Sequence, residues 1–288
     1  MSAGTGGTHA LVVGHGRMGS RHAAVLRELG AEVTTVDMDP LAGADHQRVP
    51  ADCDVGLAVV SVPPHSLADV AGELIATHQV PRVVVDKPMA ESLEDARALN
   101  VLAEAAGTDL MLMFTERANP GFRALRDCLH LVGPVRNISV RRLGPPPPNW
   151  PCDVGVDIAG HCFDMTRALG FEPEPIWGEA VGGVARYRSM FADGSGALDV
   201  LVSHEGDEVV RTFAVTGPGG MLTLDKRSQE VLFYDAEGVS EIPVSREEPL
   251  RVAWREVIDG AWEADGRDGE VALELSLTRS DLAPDVPR

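Results

Sequence analysis

Cysteine is sparse in this sequence, and long apolar runs are missing from it. The four cysteines form no C-x-x-C pair, which excludes a disulfide-stapled secreted scaffold and favours a reducing, cytoplasmic location. No apolar stretch approaches the ~20 residues of a membrane span, and the first residues lack the basic start and apolar core of a signal peptide. We therefore expect a cytoplasmic protein with no targeting segment and no membrane partner.

Basic residues are also scarce relative to acidic ones. The sequence has 25 Lys plus Arg against 44 Asp plus Glu, which gives a formal net charge of −19. Such a field repels phosphate backbones and anionic lipid headgroups, so nucleic acids and membrane surfaces are excluded as partners. It also opposes an anionic cofactor. Any dinucleotide site must therefore gather positive potential locally, from backbone amides, a helix N-terminus or nearby arginines.

The order of apolar patterns predicts two domains in the 288 residues. Up to residue 116, unbroken Val-rich runs alternate with amphipathic stretches, the pattern of βαβ units around a parallel sheet. Residues 117–288 contain a helix, a strand and a second helix, then alternating runs over 177–242 that predict an antiparallel sheet, and two closing helices that pack back on the first domain. Strands are predicted at 10–13, 32–36, 57–61, 82–85, 110–114 and 135–142, and helices at 18–29, 66–76, 93–106, 121–131, 156–169, 250–259 and 270–278.

A glycine-rich turn closes the first apolar run and opens the first helix. The turn reads G-x-G-x-x-G. Gly14 permits the tight turn, Gly16 lets the backbone approach a pyrophosphate, and Gly19 allows the helix to pack closely on the sheet. Arg17, beside Met18 in the same turn, adds positive charge. This context predicts a Rossmann domain that binds a dinucleotide.

The second apolar run ends at Asp37, where a carboxylate accepts hydrogen bonds from the adenosine ribose. A carboxylate there repels a 2′-phosphate, so the sequence favours NAD over NADP. NADP stays open as an alternative, through Arg17 or a rearranged loop. A solvated acid at a strand end is the other interpretation of Asp37.

Four further segments carry a family resemblance, namely AVVSVPPH at 58–65, VVVDKP at 83–88, FTERANP at 114–120 and DIAGHCFD at 157–164. Together they resemble the glucose-fructose oxidoreductase, inositol dehydrogenase and rhizopine-catabolism (Gfo/Idh/MocA) family over most of the chain, in particular its short nucleotide-sugar 3-dehydrogenase and inositol dehydrogenase-like members. The resemblance implies a Rossmann domain followed by an α/β domain with an open, mainly antiparallel sheet. It also implies an active site between the domains, and a homodimer or homotetramer formed through that sheet.

The resemblance implies roles for individual residues. Lys87 touches and orients the reacting hydroxyl, His161 is the general acid/base, and Asp157 is the acid that precedes it by one helical turn. Residues four apart lie on one face of a helix, so Asp157 can stand beside His161 and set its tautomer and its pKa. Further cofactor contacts are expected from Ser61, Pro63, His65, Asp86 and Lys87, and substrate contacts from Arg117, Asn119, Arg142 and Trp150.

Asp86 departs from the family pattern because it stands where the family usually has Glu. The side chain is one methylene shorter, so the ribose contact of that position is an open question. Taken singly, Lys87, Asp157 and His161 have plainer interpretations, as a solvated strand-end charge, a helix cap and a core histidine.

Two other features leave alternatives open. The proline-rich stretch 144–151 is a surface loop, either a spacer or a cover for the substrate. A zinc site is conceivable because Cys152, Asp153, Asp157, His161 and Cys162 crowd one segment, but their spacing matches no recognised ligand pattern, and we expect no metal.

The sequence therefore predicts an NAD-dependent oxidoreductase, with NADP as the alternative coenzyme. It would transfer hydride to or from a secondary hydroxyl or ketone of a sugar, nucleotide sugar or cyclitol. One alternative is a ketone or imine reductase of specialised metabolism. The other is a cofactor-binding regulatory protein without turnover.

Overall fold

The computed structural model describes residues 8–145 and 153–278, and the chain divides into two units. The first unit comprises the described residues up to 115 together with 250–273. The second comprises 116–249 and the residues from 274 onward. Within the described residues, no helix is long and apolar enough to cross a membrane.

A five-stranded parallel sheet forms the centre of the first unit, in the order β2-β1-β3-β4-β5. Apart from the edge strand β2, its strands are buried on both faces over most of their length, which explains why their sequences are nearly unbroken apolar runs. The strands are β1 His9–Val13, β2 Glu32–Val36, β3 Leu57–Val60, β4 Arg82–Val85 and β5 Asp109–Leu112, and the helices between them are α1 Arg17–Glu28, α2 Pro64–Ala76 and α3 Leu93–Ala106.

Local capping chemistry sets both ends of α3. The Ser92 hydroxyl oxygen accepts a hydrogen bond from the amide of Asp95 at 3.0 Å, and α3 ends at Gly107 with φ of 70°. The fifth strand ends two residues earlier than predicted. There the Phe114 amide donates to the Leu112 carbonyl at 3.0 Å and turns the chain.

An eight-stranded sheet forms the second unit, in the order β13-β12-β11-β10-β6-β9-β8-β7. Only β6 and β9 pair in parallel among these described strands, so the predicted α/β fold with a mainly antiparallel second sheet is confirmed. The elements are α4 Pro120–Asp127, β6 Asn137–Leu143, α5 Gly160–Ala168, β7 Pro173–Val181, β8 Val184–Phe191, β9 Ala197–Ser203, β10 Val210–Gly217, β11 Gly220–Asp225, β12 Glu230–Asp235 and β13 Gly238–Ile242.

Three predicted helices differ from the structure by more than two residues or in helix type. The helix predicted at 121–131 is α4 followed by a separate 3-10 turn, Leu129–Val132, and the helix predicted from 156 starts with a π-helical turn, Gly155–Ala159, before α5. The closing helices are α6 Pro249–Asp259 and α7 Gly266–Leu277. The second begins four residues before its predicted start because Asp265 accepts the amides of Arg267 and Asp268 at 2.9 and 3.0 Å.

Candidate active site

The predicted cofactor residues follow the carboxyl ends of strands β1 to β4 in the first unit. Gly14 follows β1, Asp37 follows β2, Ser61 follows β3, and Asp86 and Lys87 follow β4. Carboxyl ends of parallel strands share one edge of a sheet. The crossover direction reverses between β1 and β3, and sheets of this type bind their ligands at such a switch point.

The glycine turn fits a dinucleotide phosphate. A Cβ at Gly14, where φ is 92°, would collide with the carbonyl oxygen of Ser61, and a Cβ at Gly19 would collide with the carbonyl oxygen of Gly14. A Cβ at Gly16 would meet no described atom within 4 Å, so the backbone there faces open space. Two glycines thus permit the close packing of strand and helix, and the middle one leaves room for a ligand.

The first turn of α1 offers backbone donors to that space. Gly16 is the N-cap, and among the described residues no side chain caps the helix and no acid lies in its first turn. Uncapped amides and the helix dipole attract an anion. Arg17 is exposed at this end, and Met18 beside it is half-buried.

Asp37 is bound to the glycine turn. Its Oδ2 accepts the amide of His15 at 2.7 Å, and its Oδ1 accepts the amide of Asp39 at 2.9 Å. Each carboxylate oxygen has capacity for a further donor, which a ribose hydroxyl can supply. The position fits the predicted ribose contact. Pro63, the N-cap of α2, and His65 in its first turn are both exposed.

Asp86 is held by hydrogen bonds from two side chains. The Ser61 hydroxyl donates to its Oδ2 at 2.6 Å, and His22 Nε2 lies 3.2 Å from both carboxylate oxygens. Burial raises the pKa of Asp86, but His22, Ser61 and the charge of Lys87 outweigh burial, and the pKa lies below its ordinary value. Asp86 is therefore an ionised group. Lys87 itself is half-buried.

The predicted acid/base pair lies in the second unit. Asp157 and His161 are both buried, and Asp157 Oδ2 lies 3.2 Å from Nε2 of His204, at the end of β9. The predicted regular helix around this pair is wrong in its first turn. Asp153 Oδ1 accepts the amides of Gly155 at 2.9 Å and Val156 at 3.2 Å, and a π-helical turn carries Asp157. Such turns are frequent at functional sites.

Two predicted substrate residues have partners within the protein. Arg117 donates from Nε to both carboxylate oxygens of the fully buried Asp164, at 2.9 and 3.1 Å, which ties the 3-10 turn Thr115–Ala118 to α5. Asn119 is buried and is the N-cap of α4, where its Oδ1 accepts the amide of Phe122 at 3.2 Å.

The third, Arg142, belongs to a cluster centred on Glu116. Glu116 Oε1 lies 3.3 Å from Arg142 Nη1 and 3.2 Å from Lys226 Nζ. Burial raises the pKa of Glu116, but Lys226, Arg142 and Arg211 hold it below its ordinary value. The pKa of Lys226 is lowered, by burial first and by Arg142, although Glu116 opposes that shift. Alternation along β6 puts Arg142 on the same face as buried Val140, and exposed Arg141 on the other.

Sequence reasoning missed His204, Glu116 and Lys226 as site residues. His204 belongs to no pattern that singles it out, and Glu116 lies in the segment FTERANP, from which only Arg117 and Asn119 were given a role. Lys226 left a signal in the composition, because the chain contains two lysines in all, Lys87 and Lys226. A lysine is rarely buried unless it is paired.

Some predictions fall outside the described residues. Trp150, Cys152 and residues 146–151 of the proline-rich stretch lie there, as do residues 1–7 and 279–288. Across 8–145 and 153–278, no group of three or more His, Cys, Asp or Glu is placed to hold a metal ion.

Parts of the chain match one protein family and one curated relative. The model of the GFO_IDH_MocA family, described as an oxidoreductase family with an NAD-binding Rossmann fold, matches residues 27–114. Myo-inositol dehydrogenase Hyg17 of Streptomyces leeuwenhoekii is 29% identical over an alignment of 181 residues, which covers 55% of this chain. That match spans 54% of the relative, about half of its length.

Solved structures share the whole fold at low identity. UDP-N-acetylglucosamine 3-dehydrogenase GnnA from Acidithiobacillus ferrooxidans has a TM-score of 0.82 at 20% identity, over 94% of this chain and 96% of that one. Levoglucosan dehydrogenase in complex with NADH has a TM-score of 0.78 at 16% identity, over 93% and 95%. The family model thus identifies an NAD-binding Rossmann fold of the Gfo/Idh/MocA oxidoreductase family over residues 27–114, and the solved structures show that nearly the whole chain shares the fold of these dehydrogenases.

Proposed function

We propose that this protein is an NAD-dependent oxidoreductase that transfers hydride to or from a secondary hydroxyl or ketone of a sugar, nucleotide sugar or cyclitol. The observation that carries the proposal is the buried Asp157 carboxylate, which pairs with His204 at 3.2 Å and precedes His161 by four residues. A buried carboxylate that pairs with one imidazole, with a second imidazole four residues along the chain, suits general acid/base chemistry. The named activities of the relatives, on inositol, a nucleotide sugar and levoglucosan, support the substrate class.

Different residues of this chain bind the cofactor, stabilise charge and transfer the proton. The glycine turn, the start of α1 and Asp37 hold the dinucleotide. Bound NAD supplies the hydride acceptor for oxidation, and NADH the donor for reduction. Lys87 donates a hydrogen bond to the substrate oxygen and stabilises its developing negative charge. His161 takes the hydroxyl proton, and Asp157 stabilises the resulting imidazolium. His204 Nε2–H donates to Asp157 and keeps that carboxylate in place.

The charge cluster in the second unit favours a substrate with an anionic group. Arg142 and Lys226 are two basic side chains around the single carboxylate of Glu116, and Arg211 stands opposite Arg142 in β10. A phosphate, diphosphate or carboxylate of the substrate would balance the excess. Nucleotide sugars, sugar phosphates and sugar acids are therefore the first substrates to test.

Turnover is tested by following the absorbance of reduced nicotinamide with a panel of charged and neutral sugars and cyclitols. His161→Gln should lower kcat at least a hundredfold, whereas the exposed His130→Gln should leave it unchanged. Arg142→Gln should raise KM for anionic substrates alone. Arg141→Gln, on the opposite sheet face, is its matched control. If wild type binds NADH and turns over no member of the panel, the proposal is wrong.

A further inference from the structure

A buried chain of hydrogen bonds runs through the first unit and ends at Asp86. The indole Nε1–H of Trp254, on α6, donates to Nδ1 of His22, on α1, at 2.9 Å. Nε2 of His22 then contacts Asp86, whose Oδ2 also accepts the hydroxyl of Ser61. Trp254 and His22 are fully buried, and the Asp86 side chain is 18% exposed.

Donor chemistry fixes the state of His22. An indole nitrogen can only donate, so Nδ1 of His22 must be the acceptor and carries no proton. The ring proton then resides on Nε2, which donates to the carboxylate of Asp86. The rings of His22 and Trp254 meet edge to face, with centroids 5.4 Å apart, so the imidazole cannot turn over without disturbing its neighbour. The network admits one tautomer and one orientation.

The network ends at Asp86, the position at which this chain departs from the family that it resembles. Asp86 is one methylene shorter than the usual Glu and directly precedes Lys87 at the end of β4. The charge of Lys87 acts on Asp86 and contributes to its lowered pKa. Without the hydrogen bond from His22, the short carboxylate of Asp86 would be freer to move, and Lys87 beside it would be positioned less firmly.

We infer that His22 is a positioning residue, which Trp254 locks in its Nε2–H form so that it fixes the shortened Asp86 carboxylate beside Lys87. The hydrogen bond from His22 compensates for the methylene group that Asp86 lacks relative to Glu. The role rests on the proposed function, in which Lys87 contacts the substrate. The hydrogen bonds among Trp254, His22 and Asp86 can be tested whether or not the protein turns over a substrate.

The test exploits the presence of only two lysines, of which Lys226 is buried. The rate at which an amine-reactive reagent labels Lys87 is measured by mass spectrometry, without cofactor or substrate. Freeing the carboxylate loosens the end of β4 that carries the half-buried Lys87 and makes its amine more accessible to the reagent. In His22→Ala we therefore expect labelling of Lys87 to accelerate at least threefold. In the double variant His22→Ala, Asp86→Glu, the longer acid fills the vacated space, and the rate should return to within twofold of wild type.

A milder change covers the case in which His22→Ala fails to fold. Trp254→Phe removes only the indole donor, and Trp262→Phe is its control, since that indole donates to the carbonyl of Leu112 in the same unit. In nitrogen-15 NMR spectra, His22 should show a single Nε2–H tautomer in wild type and in the control, and a mixture in Trp254→Phe. Equal labelling of Lys87 in wild type, His22→Ala and the double variant would overturn the inference, as would an unchanged tautomer in Trp254→Phe. Absent turnover with these effects present would count against the proposed function alone.

Discussion

Glu116→Gln is the substitution for which the structure gives the most definite energetic expectation. Glu116 is the only carboxylate within 4 Å of both Arg142 and Lys226 among the ion pairs of the described residues. Its side chain is 12% exposed, that of Lys226 2% and that of Arg142 18%. The substitution preserves shape but leaves two largely buried cations without their counter-ion.

Removing one partner of a buried ion pair costs about 3–5 kcal/mol, because the other charge stays buried without compensation. Glu116 and Arg142 keep some contact with water, so we expect the lower end, about 3 kcal/mol. A urea slope of about 1–3 kcal/mol per molar then lowers the midpoint of unfolding by roughly 1–3 M. The exposed Glu230→Gln, on β12, should change the midpoint by less than about 0.5 M.

The effect also depends on pH, with a sign that follows from the pKa of Glu116. That pKa is depressed in the folded protein below the ordinary 4.5. The stabilisation is therefore complete above the unfolded value and is lost as the pH falls through the folded value. The difference between wild type and Glu116→Gln should stay constant from about pH 7 down to about pH 5 and shrink below that.

Urea unfolding followed by circular dichroism measures these differences, and a second substitution tests their cause. Lys226 Nζ lies 3.6 Å from the sulfur of Met165, so a methionine at position 226 suits its surroundings. The double variant Glu116→Gln, Lys226→Met should be more stable than Glu116→Gln alone. A double variant less stable than both single variants would refute the charge argument, as would a Glu116→Gln midpoint equal to that of wild type.

Three further substitutions test other contacts. Gly19→Ala, whose Cβ would collide with the carbonyl of Gly14, should weaken NADH binding at least tenfold in a fluorescence titration. Gly72→Ala, where a Cβ meets only an ordinary 3.5 Å contact, should not. Asp37→Ser should narrow the ratio of NADPH to NADH dissociation constants at least tenfold, and an unchanged ratio would remove Asp37 from the ribose site. Asp164→Asn should destabilise by about 3–5 kcal/mol in urea, because it uncouples a fully buried carboxylate from its arginine, and a loss below about 1 kcal/mol would contradict that pairing.

The sequence predicted the parts of the fold that local chemistry dictates. Strands buried on both faces must be apolar throughout, so their runs were visible and their positions agree within two residues. The cap at Ser92 and the turn at Gly14 each depend on one residue type at one position. The π-helical turn was not predictable in this way, because an apolar pattern of period 3.6 does not distinguish a regular helix from one with a wider first turn.

The contacts that complete the candidate site join residues far apart in sequence. Asp157 and His204 are separated by 47 positions, Glu116 and Lys226 by 110, and His22 and Trp254 by 232. The resemblance named only Asp157 among these residues, because family segments identify the residues that meet substrate or cofactor. Their partners lie on other strands and helices, and only the folded chain brings them together.

The placement of basic groups within each unit explains how a strongly acidic chain can bind anionic ligands. A net charge of −19 opposes both a dinucleotide and an anionic substrate, yet at physiological ionic strength the field of distant surface acids is screened over about 8 Å. Groups closer than that decide whether an anion binds. In the proposed cofactor site these are the uncapped amides of α1 with Arg17. In the proposed substrate site they are Arg142 and Lys226, which are screened far less because they are largely buried. A strongly acidic chain is thus compatible with anionic ligands, provided that its few basic groups lie at the sites and its acids on the exposed surface.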